Sequence, residues 1–200
     1  MTNLDNQLFS STPKITRSDR ERLHGHRAAL LWFTGLSGSG KTTLTQALEE
    51  KLHQLDYSTM ILDGDNVRAG LCNDLSFSQE DRSENIRRIG EVAKLFIEAG
   101  VFTLAAFIAP VQKDRDFVRG ILGENEFFEI YCKCSLEVCE TRDVKGIYKR
   151  ARAGQIKNFT GIDSAYEKPL KPDLVIDTEI ETVQESLVKI FQFLRDKNIL

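Results

Sequence analysis

Gly35-Leu36-Ser37-Gly38-Ser39-Gly40-Lys41-Thr42 spells a complete G-x-x-x-x-G-K-[ST] phosphate-binding word. Backbone N–H groups of a glycine-rich turn, followed by the positive end of a helix, converge on a point where polyphosphate can sit. Gly35, Gly38 and Gly40 permit the close approach, Lys41 can reach the β- and γ-phosphates, and the Thr42 hydroxyl can hold Mg²⁺. The apolar run Ala28-Ala29-Leu30-Leu31-Trp32-Phe33 leads directly into the word, as the strand–turn–helix setting requires. A chance Gly/Ser turn is the alternative, and that setting weighs against it. The chain therefore binds a nucleoside triphosphate.

Asp63-Gly64-Asp65-Asn66, followed by Val67-Arg68, places two carboxylates one residue apart at the end of a second apolar run. One can hold Mg²⁺ or its waters while the other takes the proton of an attacking hydroxyl. A D-G turn that only caps a helix is the plainer reading. Farther on, Arg82, Asn85 and Arg88 recur every third residue and share a helix face that could grip an anion, although most charges in that block suit a solvated surface. Residues 143–152 carry four cations, Lys145, Lys149, Arg150 and Arg152, and suit either a segment closing over phosphates or a cationic surface helix. Phe159, in the polar stretch Asn158-Phe159-Thr160-Gly161-Ile162-Asp163, suits stacking on a flat ring.

Alternating short β-rich and longer helical runs must position these groups. The pattern predicts strands near 29–34, 58–62, 101–108, 127–132 and 174–176. Helices are expected over 41–55, 79–99, 111–122, 136–142 and 181–197. The 79–99 run is apolar at Ile86, Ile89, Val92, Ala93, Phe96 and Ile97, spacings of three and four that form one buried stripe. Such alternation predicts a three-layer α/β/α fold around a five-stranded parallel sheet, whose ligands gather at the carboxyl ends of its strands. Residues 1–27 read as a tail and charged arm, 28–200 as one phosphate-loop domain, and about 143–170 as its basic lid.

With 27 basic against 30 acidic residues and a net charge of -3 in 200 residues, no global field exists to gather polymeric nucleic acid or coat an anionic membrane. No run approaches a membrane span and the first residues lack a signal-peptide pattern, so a cytoplasmic protein is expected. Cys72, Cys132, Cys134 and Cys139 have no zinc-site spacing and read as buried hydrophobes; His24, His26 and His53 read as surface or loop residues.

In combination these words resemble the adenylylsulfate kinase family of P-loop kinases, from about residue 14 to the C-terminus. The likeness rests on Trp32 to Lys41, the Asp63 to Arg68 turn, Glu84-Asn85-Ile86-Arg87-Arg88 through Lys94, Lys145-Gly146 with Ala151-Arg152-Ala153-Gly154, and Phe159 to Asp163. It implies transfer of phosphate from MgATP to the ribose 3′-hydroxyl of adenosine 5′-phosphosulfate in sulfate assimilation. On that basis Gly35 to Thr42, with Thr43, hold ATP and Arg142 borders its adenine. Thr42 and Asp63 serve Mg²⁺, with Lys41, Asp63 and Asp65 in catalysis and Asp65 as the base. Arg68, Arg82 and Asn85 grip phosphosulfate and ribose, Phe77 and Phe159 sandwich the acceptor adenine, and Ile108 lines its pocket. Gly64, Asn66, Phe107, Lys145, Thr160 and Ile162 complete the acceptor site. The resemblance further implies a homodimer whose arm can join the site.

One position departs from the family pattern: many members read Phe-Ile-Ser-Pro with a phosphorylated serine, and this chain reads Phe107-Ile108-Ala109-Pro110, followed by Val111-Gln112 where Tyr-Arg is frequent. Alanine has no hydroxyl, so transfer is expected to run directly in line. The competing readings are a non-catalytic nucleotide-binding homologue and a kinase of another small metabolite.

Overall fold

All five residues of β1 (Leu30–Thr34) are buried, as a strand covered on both faces must be. A computed structural model describes residues 13–200 of the chain. Around β1 run α1 (Arg17–His24), α2 (Lys41–His53), β2 (Thr59–Asp63), α3 (Gly64–Ala69), α4 (Gln79–Glu98), β3 (Phe102–Ala106) and α5 (Gln112–Gly120). They are followed by β4 (Phe127–Lys133), α6 (Leu136–Arg142), α7 (Ile147–Arg152), β5 (Leu174–Asp177) and α8 (Val183–Asp196).

The strands form one parallel sheet in the order β2-β3-β1-β4-β5. Alternate side chains divide its core. Leu31 and Phe33, with Phe128 and Ile130 of β4, pack on Leu44 and Leu48 of α2 and Leu187 and Ile190 of α8. On the other face, Leu30 and Trp32 meet Ile86, Ile89, Ala93 and Ile97 of α4 and Val118 of α5. These are the expected three layers, and the α4 stripe is the one its spacing predicts.

Strand register sets the level of the site. Ala106 of β3 pairs with Phe33 on one side and with Asp63 on the other. The acidic turn therefore leaves the sheet at the height where β1 runs into the phosphate loop. Only β3 separates them, a gap of about 10 Å across two strand spacings.

Within the charged arm expected over 14–27, residues 17–24 form α1, started by a reciprocal cap between Thr16 and Asp19. No residue of α1 is buried, so hydrophobic periodicity could not reveal it. Polar contacts dock it instead: Arg17 Nη2 donates to the Ala28 carbonyl (2.8 Å) and pairs with Glu126, and Arg20 Nη1 donates to the Glu98 carbonyl (3.0 Å). Gly100 has φ +80° there, and a Cβ on it would meet Arg20 Cβ at 3.0 Å. His26 stands in a loop, one of the two settings expected for it, but is buried, and its ring lies 4.5 Å from that of Tyr57. Its Nε2 accepts the Ser58 N–H (2.8 Å), which leaves the proton on Nδ1 to be donated to the Arg27 carbonyl (3.0 Å). Ala28, Ser58 and Gly100 all precede strands, so within one chain the arm seals the end of the sheet opposite the phosphate loop.

β3 ends at Ala106, short of the expected 108, because the chain then bends through Ala109, whose φ of +43° lies in the left-handed region. Arg115, almost fully buried, braces this bend: its guanidinium donates to the carbonyls of Ala109 (2.6 Å) and Glu167 (2.8 Å). Arg115 Nε also lies 2.7 Å from Glu129 Oε1, a charge contact without aligned N–H···O geometry. Burial outweighs that contact and raises the Glu129 carboxyl above its ordinary value.

Candidate active site

The phosphate loop is braced by parts of the chain distant in sequence. Gly35 sits so close to β4 that a Cβ would lie 2.6 Å from the Cys132 carbonyl oxygen, and its φ of +152° also favours glycine. Thr178 Oγ1 donates to the Ser39 carbonyl (2.9 Å), and Arg142 reaches the carbonyls of Gly38 (3.3 Å) and Thr178. Arg142 thus stands beside the loop. Thr178 was missed by sequence reading, although its place just after β5 is a signal of the kind that marked the other strand ends.

Lys41 opens α2 and is buried, its Nζ donating to the carbonyls of Gly35 (3.0 Å) and Leu36 (2.7 Å). Desolvation pulls its ammonium down to about 8. Thr42 and Thr43, one and two residues on, are exposed at the mouth of the loop.

Asp63 makes two contacts at once. It caps α3, accepting the Asp65 N–H (3.0 Å) on Oδ1, and its Oδ2 accepts the Thr42 hydroxyl (2.8 Å). A threonine hydroxyl and a carboxylate at this separation form an all-oxygen donor pair, the chemistry Mg²⁺ prefers. Asp65 is exposed and forms an ion pair with Lys145 of the basic segment. Acidic turn, phosphate loop and basic segment therefore meet, as the spacing of their residues could not by itself show.

The proposed acceptor residues divide into two groups. Arg82 ties both aromatic segments together: Nε donates to the Phe77 carbonyl (3.0 Å), and the Nη atoms to Thr160 Oγ1 and the Asn158 carbonyl. Arg68 donates to the Ser76 carbonyl (3.0 Å) and lies 4.4 Å above the exposed Phe77 ring. Asn85 is buried, and its Oδ1 has no partner among the described residues, an arrangement that costs about 1–3 kcal/mol until a donor arrives. Ile108 lies next to the bend, its carbonyl accepting the Thr34 hydroxyl (2.6 Å). Gly64 and Asn66 lie in α3 beside Asp65.

The second group is packed inward. The Phe107 ring lies 5.4 Å from Trp32 in the core, and Phe159 and Ile162 belong to a small apolar cluster with Leu36, Cys134, Cys139 and Tyr148. Phe77 and Phe159 consequently stand in unlike settings, one exposed and one buried. Arg88 is occupied elsewhere, held by Asp74 (2.7 and 2.8 Å) and Glu84 (2.9 Å), so it adds nothing to an anion site. All four cysteines are buried free thiols, and burial raises Cys132 and Cys139 to about 12.

One consequence concerns pH. A triphosphate favours the charged form of Lys41, so binding near and above pH 8 takes up protons. Calorimetry at about pH 8.5 in buffers of different ionisation enthalpy is expected to show uptake of roughly half a proton, falling to near zero at about pH 6.5. Equal uptake at both values would assign the titration to another group.

Comparison with known proteins bears on the same residues. The family described as "Adenylylsulphate kinase" matches residues 27–177. The "Adenylyl-sulfate kinase" of Oceanobacillus iheyensis is 58% identical over 186 residues, covering 93% of this chain and 94% of its own. A solved structure of the Mycobacterium tuberculosis APS kinase CysC in complex with AMPPNP and APS superposes with a TM-score of 0.81 at 41% identity, covering 85% of this chain and 99% of that one. A hexameric APS kinase from Thiobacillus denitrificans gives a TM-score of 0.66 at 30% identity, over 90% of this chain and 30% of its own. With a family match spanning the phosphate loop, the acidic turn and the basic segment alike, this chain belongs to the adenylylsulphate kinase family of P-loop kinases.

Proposed function

We propose that the protein transfers the γ-phosphoryl group of ATP to the ribose 3′-hydroxyl of adenosine 5′-phosphosulfate, giving ADP and 3′-phosphoadenosine 5′-phosphosulfate. The observation that carries this is the 2.8 Å contact between Thr42 and Asp63, which brings the acidic turn onto the phosphate loop. In this reading, residues 35–43 cradle the triphosphate and Lys41 places its charge on the β- and γ-phosphates. Thr42 and Asp63 would hold Mg²⁺, which would supply further positive charge to the phosphates. Asp65 accepts the 3′-hydroxyl proton as that oxygen attacks the γ-phosphorus, and the bond to the β-phosphate oxygen breaks to release ADP. For Asp65 to act, Lys145 must yield the carboxylate, and its charge is then available to the phosphoryl oxygens.

Arg68, Arg82 and Asn85 hold phosphosulfate and ribose, with Phe77 and Phe159 at the acceptor adenine beside Ile108 and Thr160. Arg142 borders the ATP adenine. The reading extends to a cytoplasmic homodimer with residues 143–170 as lid and 1–27 as arm.

Ala109 removes any phosphoserine from the route, and direct transfer needs little covalent help from the protein. With saturating MgATP, ADP release is expected to depend on adenosine 5′-phosphosulfate, and γ-labelled phosphate should appear on the nucleotide product with none retained on denatured protein. No acceptor-dependent ADP would favour the non-catalytic reading; label on the protein would end the direct route.

A further inference from the structure

We propose that Tyr148 couples the two nucleotide sites, linking the phosphate loop to Phe159 so that donor and acceptor bind cooperatively. This rests on the reading above in which Phe159 faces the acceptor base.

Tyr148 lies on α7, and its N–H and that of Lys149 are accepted by Asp143 (3.0 and 3.1 Å), which fixes the start of the helix. The side chain is 2% exposed. Its hydroxyl donates to the Ser37 carbonyl (2.9 Å) in the middle of the phosphate loop, and its ring meets Phe159 edge-on with centroids 5.0 Å apart. One side chain therefore touches both sites. Burial raises the phenol well above its ordinary value, so it remains a donor throughout the working range.

Both ends of the link are held. Asp163 accepts the N–H groups of Asn158 and Phe159, while Arg82 binds Asn158 and Thr160 on either side of the ring. At Gly161 the same loop comes so near the phosphate loop that a Cβ would lie 3.1 Å from Leu36 Cδ2. Phosphate oxygens compete with the Gly35 and Leu36 carbonyls for Lys41 Nζ. Release of those carbonyls adjusts the peptides next to Ser37, and Tyr148 carries the adjustment to Phe159.

Tyr148→Phe isolates the link, because it keeps the ring, its volume and the contact with Phe159 and deletes only the hydroxyl. Calorimetry on the full chain would give the dissociation constant of Mg·AMPPNP with and without saturating adenosine 5′-phosphosulfate, and the reverse. In the wild type each ligand is expected to tighten the other by the same factor, about tenfold, as reciprocity requires. In Y148F the factor should fall to within about twofold of unity while acceptor binding alone changes less than about threefold. A side chain that merely fills the cluster would alter both affinities and leave their ratio intact.

Hydrogen exchange over residues 156–163 gives a second readout: AMPPNP should slow it in the wild type and leave it unchanged in Y148F. Absence of coupling in the wild type, or its survival in Y148F, overturns the link and leaves the functional reading standing. Failure of the wild type to bind the acceptor at all is failure of that reading.

Discussion

Replacing Lys41 with alanine is expected to lower kcat by about 10²–10³-fold, the usual effect of removing one preorganised group from a developing negative charge. Phosphoryl transfer spreads charge over the non-bridging oxygens, so a cation in a dry site acts mainly on the transition state. Lys41 is such a cation, buried at the first position of α2 and held over the loop by two carbonyls. The triphosphate still meets the backbone N–H groups of the loop, so the AMPPNP dissociation constant should rise by no more than about tenfold. Steady-state kinetics with direct binding separates the two, and a kcat within about tenfold of wild type would remove Lys41 from the chemistry.

Asp65→Asn should reduce kcat by roughly 10²–10⁴-fold while the KM for ATP stays within about threefold. The substitution keeps the shape and deletes the proton acceptor. ATP binding should be spared because the Asp65 side chain is paired with Lys145 rather than hydrogen-bonded to the phosphate loop. Asp63→Asn gives the contrast, since Asp63 touches Thr42 and its loss should raise the Mg²⁺ concentration needed for half-maximal rate. An unchanged kcat in D65N would show that another group receives the proton.

Local words were the legible part of this chain. Gly35, Gly38 and Gly40 all have positive φ, so their spacing reported a backbone requirement that only sequence-adjacent residues need satisfy. The α4 stripe and the buried run of β1 were legible because each element meets its layer through a simple period. What escaped was held by polar contacts or by distance. The helix α1 buries nothing and docks through arginines, while α3 and α7 have six residues each, too few for a period to show. Arg88 looked like an anion ligand because spacing cannot say that Asp74 stands opposite it. Tyr148 and Ser37 lie 111 positions apart, and nothing near either one announces the other.

The bend at Ala109 carries one more consequence. A non-glycine residue in the left-handed region costs on the order of 1 kcal/mol, and here the flanking carbonyls are gripped by Arg115 and Thr34. No atom of the residue 109 side chain takes part in that grip. A residue as small as serine could consequently stand there without redrawing the backbone, whereas a bulkier one would have to force its way into the apolar cluster that encloses Ala109.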